Sequence, residues 1–475
     1  MSRTANPQIG FADWELKQQQ HVLDPVLREI SDFLDEHAET IEKVRSDLEK
    51  GLKNPGTGRS GLTPAQVLRS LVLMRIKNWD YRELRERIAD GYSLRIFTEF
   101  YSQRVLLHDA FHRSFSRLTP ATIKAVNDIV VQAAVDLALE NGKKLRVDTT
   151  VVQTDIHHPT DNTLLWDVVR VITRCVAYLA AALEHGFIKG FRNRTLAARR
   201  RMLEIQRMTS RQRGTELTEK YRALIKITQE VVDSARAVLK QTKKARGKNI
   251  VTTLAIDNFR EQIDHYCKLG DRVIDQARRR VLEGEQVPNA EKIYSIFEPH
   301  TDILIKRGKA LTPVEFGHKV FIAESANGLI TQYEVLDGNP SDEQHVKPSL
   351  ERHNEGFGRA PELYGSDRGF FSEENEKACK RGGVKVISMP QRGGKKTPKR
   401  EVHEKSREFK NGQRFRAGIE GRISVLFRGR GMKRCLAEGR ERFEIWVGAA
   451  VLANNLLKIA DLLRKQQARR HRTAA

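Results

Sequence analysis

The chain has 475 residues and carries 84 Lys and Arg against 61 Asp and Glu, a formal charge of +23. That length suits about three domains at ~100–200 residues each, and 39% apolar residues with a mean hydropathy of −0.54 argue against wholesale disorder and for a soluble protein with real cores. No stretch reaches the ~18 uninterrupted apolar residues of a membrane span, and the first residues lack the apolar core of a secretory signal.

Four scattered cysteines (Cys175, Cys267, Cys379 and Cys435) contain no Cys-x-x-Cys pair. They argue against a disulfide framework or zinc ribbon and for a reducing cytosol. The cationic surplus calls for a polyanion, most often nucleic acid.

Residues 1–140 read as helices. Leu23, Val26, Leu27, Ile30, Phe33 and Leu34 recur at three- and four-residue steps. After the breaker run 54–61, Thr63 and Pro64 predict an N-cap and first turn. A short break at 77–80 then leads into a second helix carrying Arg82, Arg85 and Arg87. Helix, short turn and helix fit a DNA reader using Arg82 and Arg85, and fit an ordinary helical hairpin equally well on pattern alone.

At 143–152 the pattern becomes β-branched and strand-like, with Asp148 inside it. Helical periodicity returns over 162–289, in long charged stretches suited to a hairpin bundle. Strand signals resume at 301–306, 317–324 and 329–336, the last two joined by an Asn327-Gly328 turn. Short strands at 362–369 and 384–389 flank a helix at 373–380, and helices at about 413–428 and 443–463 close the chain. A strand at 143–152 is thus separated from its sheet partners by roughly 150 mostly helical residues. One α/β domain with a helical insertion is the simplest account.

Three acids stand in special places. Asp148 lies in an apolar strand, where an uncompensated carboxylate costs several kcal/mol, roughly 3–5 once buried without a partner. Asp367 ends a later strand in Gly365-Ser-Asp-Arg-Gly-Phe370, where acids face the ligand crevice of open sheets or cap the next helix. Glu420 sits one helical turn after Arg416, the spacing of a plain ion pair. Gly418 and Gly421 flank it, each costing about 1 kcal/mol in a helix, which suggests that something approaches closely there. First strand, later strand end and following helix is the order in which an RNase H-like domain gathers three acids. Clustered carboxylates repel unless divalent cations neutralise them, and Mg²⁺ takes such oxygen donors. Two such ions serve phosphodiester displacement.

The segments Val147–Asn162, Gly365–Phe370 and Arg416–Glu420 resemble the three acidic motifs of bacterial insertion-sequence transposases of the DDE type, the ISNCY-like group and its relatives with an N-terminal helical domain. Residues 62–100 resemble their N-terminal domain, and Gly338–His345 their post-strand segment. The resemblance implies Asp148, Asp367 and Glu420 as catalytic, metal-binding acids, with Mg²⁺ as cofactor and Mn²⁺ able to substitute. It implies Arg416 as the basic residue of a Tyr–Arg–Glu–Lys pattern, although Gln413 stands where Tyr would be and Phe427 where Lys would be, with Arg428 next. Only 53 positions separate Asp367 from Glu420, and the large helical block follows Asp148 instead.

His157-His158 is not read as a metal site, since adjacent histidines in a Pro-containing loop rarely direct both rings at one ion. Residues 392–434 hold 15 Lys and Arg against 4 Glu. Beside an acid trio they read as a DNA backbone clamp, including Lys395, Lys396, Arg416 and Arg428.

The expectation is therefore an α/β RNase H-like catalytic core at 141–155 and 312–463, and an N-terminal helical DNA-binding domain at 1–140. A mainly helical insertion occupies 156–311, and a basic disordered tail 464–475. The chain is expected to bind double-stranded DNA at element ends and at the target, as a homodimer through the 162–289 helices. It would act in the bacterial cytoplasm with no membrane partner, cutting and transferring strands. The rival readings are a non-catalytic, domesticated transposase derivative and a structure-selective nuclease without strand transfer.

Overall fold

A computed structural model describes the chain apart from residues 1, 4–13, 16–22, 55, 56, 58, 184–189, 210–213, 306–313 and 475. The expected boundary at 311/312 lies outside the described residues. The chain divides into two units, 1–154 with 318–475, and 155–317.

The first unit carries the helices α1 (Pro25–Glu36), α2 (Glu39–Glu49), α3 (Pro64–Lys77), α4 (Tyr81–Asp90), α5 (Tyr92–Phe97), α6 (His108–Phe115) and α7 (Pro120–Asp136). Their starts follow from local chemistry. Thr63 and Gln66 close a reciprocal capping box on α3, and the Asp80 carboxylate accepts from two backbone N–H groups of α4. Between them Asn78 turns the chain in the left-handed region, at φ 56°.

Strand β1 (Lys144–Thr154) follows. The second unit then carries α8 (Asp161–Ala182), α9 (Thr195–Arg207), α10 (Thr215–Thr242) and α11 (Ile250–Ala277), packed around one apolar cluster. It also carries β2 (Asp302–Ile305), which pairs antiparallel with the first residues of β3 (Val314–Ser325). From His318 onward β3 belongs to the first unit.

The remaining elements are β4 (Ile330–Val335), α12 (Val346–Phe357), β5 (Leu363–Gly365), α13 (Glu373–Arg381), β6 (Val386–Ser388), α14 (Pro398–Lys405), α15 (Arg407–Gly429), β7 (Arg434–Cys435) and α16 (Arg440–Ala474). In the sheet of the first unit the order is β3-β1-β5-β6, with β4 on the far side of β3 and β7 on the end of β1. The β3–β4 hairpin is antiparallel, while β1–β5, β5–β6 and β1–β7 are parallel. Side chains alternate between the two faces, as the two-residue strand period requires. Leu145, Val147, Phe321 and Ala323 pack with α12 and α13 residues, whereas Val152, Val320 and Ile322 pack with Ile419 and Leu426 of α15 and Val447 of α16.

Helix α16 is apolar on two sides. Phe443, Val447 and Val451 join the sheet, while Leu452, Leu456 and Ile459 join the core of the N-terminal helices. By length and composition it could cross a membrane, but most of its apolar stretch is buried in protein, so it is a core helix. The N-terminal helices therefore share a unit and a core with the C-terminal helix. The segment expected as a disordered tail continues α16 as far as Ala474. Its Arg, Lys, Gln and Ala residues are strong helix formers, and no Gly or Pro stops it.

Candidate active site

The sheet register brings the first two acids together. Lys144, Leu145 and Arg146 on β1 pair with Leu363, Tyr364 and Gly365 on β5. Continuing two residues further along both parallel strands sets Asp148 alongside Asp367. Asp148 is only 13% exposed. Burial, with the neighbouring Asp367 and Asp342 charges, pushes its carboxyl up to about 6, against the opposing pull of Arg416 and the Thr149 N–H. Asp367 caps the one-turn helix at Arg368–Phe370, its Oδ1 accepting from the Gly369 N–H at 2.8 Å. The capping role and the place beside Asp148 are held by the same side chain.

Asp342, in the turn after β4, has no assigned part in the sequence reading, yet it belongs to this cluster. It accepts from the Thr149 hydroxyl at 2.9 Å and pairs with Lys319 at 2.7 Å. A Cβ on Gly369 would lie 2.7 Å from Asp342 Oδ2 and 3.0 Å from Asp367 Oδ1, so a larger residue there would push the carboxylates from their present places. The available sequence signal was its place in the Gly338–His345 segment.

Helix α15 brings the third acid. Its buried stripe, Ile419 and Leu426, faces the sheet as the periodicity predicts. Arg416 reaches across to Asp148 Oδ2 at 2.8 Å and along its own helix to Glu420 Oε1 at 2.9 Å. Arg416 thus ties the first and third acids together, and Glu420 itself remains 67% exposed. Among the described residues no three His, Cys, Asp or Glu side chains converge as a metal-holding group.

A second ion network sets where α15 lies. Glu324 on β3 is fully buried and accepts from Arg146 of β1 and Arg422 of α15, all at 2.8 Å. Arg146 also donates to the Phe415 carbonyl at 2.7 Å. The close approach suggested by the glycines beside Glu420 is this guanidinium: a Cβ on Gly418 would lie 2.1 Å from Arg146 Nη1, while Gly421 faces open space. Gln413 donates to the Ser366 and Ser388 carbonyls and so stitches α15 to the ends of β5 and β6. Phe427 packs with the apolar cluster under α15 and α16.

Of the basic residues, Lys395 and Arg428 are exposed, and Lys396 is paired with Glu404 at 2.5 Å. Arg82 is exposed on α4 and Arg85 is half-buried, with its Nε lacking a hydrogen-bond partner. Arg428 shares α15 with Glu420, Arg82 and Arg85 share α4, and Lys395 and Lys396 stand between β6 and α14. In the second unit His157 pairs with Asp167 at 2.7 Å, whereas the His158 ring meets Phe316 edge-on. The two rings are directed apart.

Residues 306–456, which include Asp367 and Glu420, match a family described as "Transposase DDE domain". Residues 14–117, covering α1 to α6, match one described as "Transposase domain (DUF772)". No curated protein and no solved structure matches the chain. The DDE match implies an RNase H-like core, with which the mixed sheet between two helical layers agrees. With both matches falling almost wholly on the parts of the chain that build this unit, the protein is an insertion-sequence transposase of the DDE type, an enzyme that cleaves DNA and transfers its strands.

Proposed function

We propose that Asp148, Asp367 and Glu420 are the catalytic acids of this transposase, and that Asp342 stands beside them as a fourth carboxylate. The supporting observation is the parallel β1–β5 register, which sets Asp148 and Asp367 side by side under a helix whose Arg416 grips both Asp148 and Glu420. The donor set suits Mg²⁺ or Mn²⁺. It offers only oxygens, and the crowded acids depend on the positive groups of Arg416 and Lys319 for compensation. Asp148, Asp367 and Glu420 would hold the metal, which when bound supplies charge stabilisation for the attacking and leaving oxygens of phosphodiester displacement.

The chain's own residues divide the remaining work. Asp148 must be ionised to serve, and Arg416 favours that state. Lys319 and Thr149 hold Asp342 in place. Glu420 has to leave Arg416 to join the other two acids, so Arg416 sets the exchange between an ion-paired and an assembled arrangement. Freed from the carboxylates, its guanidinium suits a DNA phosphate. Arg428, Lys395 and Lys396 would add backbone contacts, and α3–α4 with Arg82 and Arg85 would read the element ends. Within this reading 141–155 and 312–463 act as the catalytic core, 1–140 as the end-binding part and 156–311 as the inserted part. The active species is a homodimer, because two ends must be joined, working on nucleoid DNA in the bacterial cytoplasm.

Asp148→Ala is expected to abolish Mg²⁺-dependent cleavage of end-containing DNA while leaving DNA binding intact, as is chelation of the metal from the wild type. Cleavage retained by Asp148→Ala would refute the assignment.

A further inference from the structure

A cavity of about 780 Å³ in the first unit lies between the α3–α4 turn and the start of α16, away from the acids. Arg75, the last buried residue of α3, lines it and is only 2% exposed. Its guanidinium carbon sits over the Trp446 ring, 3.9 Å from the centroid, and its Nε and Nη2 have no hydrogen-bond partner. No carboxylate pairs with it among the described residues. Burial, helped by repulsion from Arg430, pulls the Arg75 guanidinium down to about 10 against the opposing influence of Cys435 and Tyr81. A buried cation without a counter-charge is costly, and this one borders a cavity.

The rest of the lining narrows the chemistry. Lys433, Arg434 and Arg442 give the cavity a cationic rim. Asp80, Glu83 and Glu438 also line it, but the Asp80 carboxylate is committed to capping α4. Trp79 and Tyr81 supply aromatic walls. The space far exceeds a lone phosphate and falls in the range of small-molecule sites, roughly 300–1,000 Å³. An anion with a flat apolar body attached fits these walls.

We propose that this cavity binds a nucleoside phosphate, with Arg75 taking the phosphate and the Trp79–Tyr81 wall taking the base. The nucleotide is either free in solution or an unpaired nucleotide of the DNA on which the enzyme acts. Arginine suits the phosphate because its planar fork is more weakly hydrated than an ammonium and can be buried to meet an oxyanion. Aromatic faces accept any base by stacking.

The test uses the full-length protein with three probes: adenosine 5′-monophosphate, inorganic phosphate, and a DNA duplex with or without one unpaired nucleotide. Arg75→Met and the exposed-rim variant Arg442→Ala are compared with wild type. Adenosine monophosphate binding that weakens at least about tenfold in Arg75→Met and severalfold in Arg442→Ala supports a site for free nucleotide. No such binding, but a preference for the unpaired-nucleotide duplex that both variants lose, supports an extruded nucleotide. In either case ligand-free Arg75→Met should melt no lower than wild type, since it removes an unpaired buried charge. Probe binding indifferent to both substitutions would overturn the site. Inorganic phosphate competing as well as the nucleotide would overturn the nucleoside part of the proposal.

Discussion

Gly418 and Gly421 flank Glu420 on one helix, and alanine at the two positions should move the stability of α15 in opposite directions. At 418 the new Cβ would stand 2.1 Å from Nη1 and 2.9 Å from Cζ of Arg146. The whole guanidinium must then withdraw, although it is pinned by the buried Glu324 and the Phe415 carbonyl. Losing one charge-assisted hydrogen bond costs about 1.5–3 kcal/mol, and alanine returns about 1 kcal/mol of helix propensity. The net expectation is a loss of about 0.5–2 kcal/mol. At 421 nothing lies within 4 Å of the Cβ position, so only the propensity gain of about 1 kcal/mol remains. The two variants should differ by roughly 1.5–3 kcal/mol, which is on the order of ten- to hundredfold in the local opening equilibrium. Native-state hydrogen exchange of the α15 amides reads this directly: faster than wild type for Gly418→Ala, slower for Gly421→Ala. If both alanines slow exchange alike, Arg146 does not explain the glycine at 418.

His353 gives a pH dependence. It is buried, donates from Nε2 to the Gly142 carbonyl at 2.9 Å, and burial pulls it down to about 4. The folded state holds it neutral, so its contribution is complete above the unfolded value near ~6.5 and is lost as pH falls toward 4, about 3 kcal/mol in all. Urea midpoints between pH 7.5 and 4 should fall less steeply for His353→Gln, and parallel curves would count against this. For DNA binding, Lys395→Gln and Arg428→Gln should each lower the slope of log K against log salt by about 1, because both side chains are exposed and free to neutralise a phosphate. Lys396→Gln should do less, since Lys396 is already paired with Glu404. Equal slopes for all three and wild type would remove these residues from the backbone contact.

The elements were largely legible because their determinants are local. Thr63, Pro64 and Gln66 lie within four residues of one another, so the start of α3 could be read directly. So could the β3–β4 hairpin, whose turn Gly328 has φ 87°, and the apolar stripe of α15. The three acids were legible as types in suggestive places, and the family matches agree with the chemistry they imply. The basic C-terminal segment is helical as far as Ala474, since its helix propensity and its continuity with α16 outweigh its charge.

What the linear order could not show depends on partners distant in the chain. The glycine at 418 answers to Arg146, Asp342 is tied to Thr149, and Arg75 is covered by Trp446. Such pairings appear only once β1 and β5 are in register and α15 and α16 lie on the sheet. Composition and local pattern gave a cationic chain suited to a polyanion, with α/β elements and three acids in suggestive places. The tertiary structure alone decided that Arg416 bridges two of those acids, that Asp342 stands beside them, and that a buried cation was left facing a cavity. The physical reason is that hydrogen bonding and charge pairing act over a few ångströms of space, whatever the separation along the chain.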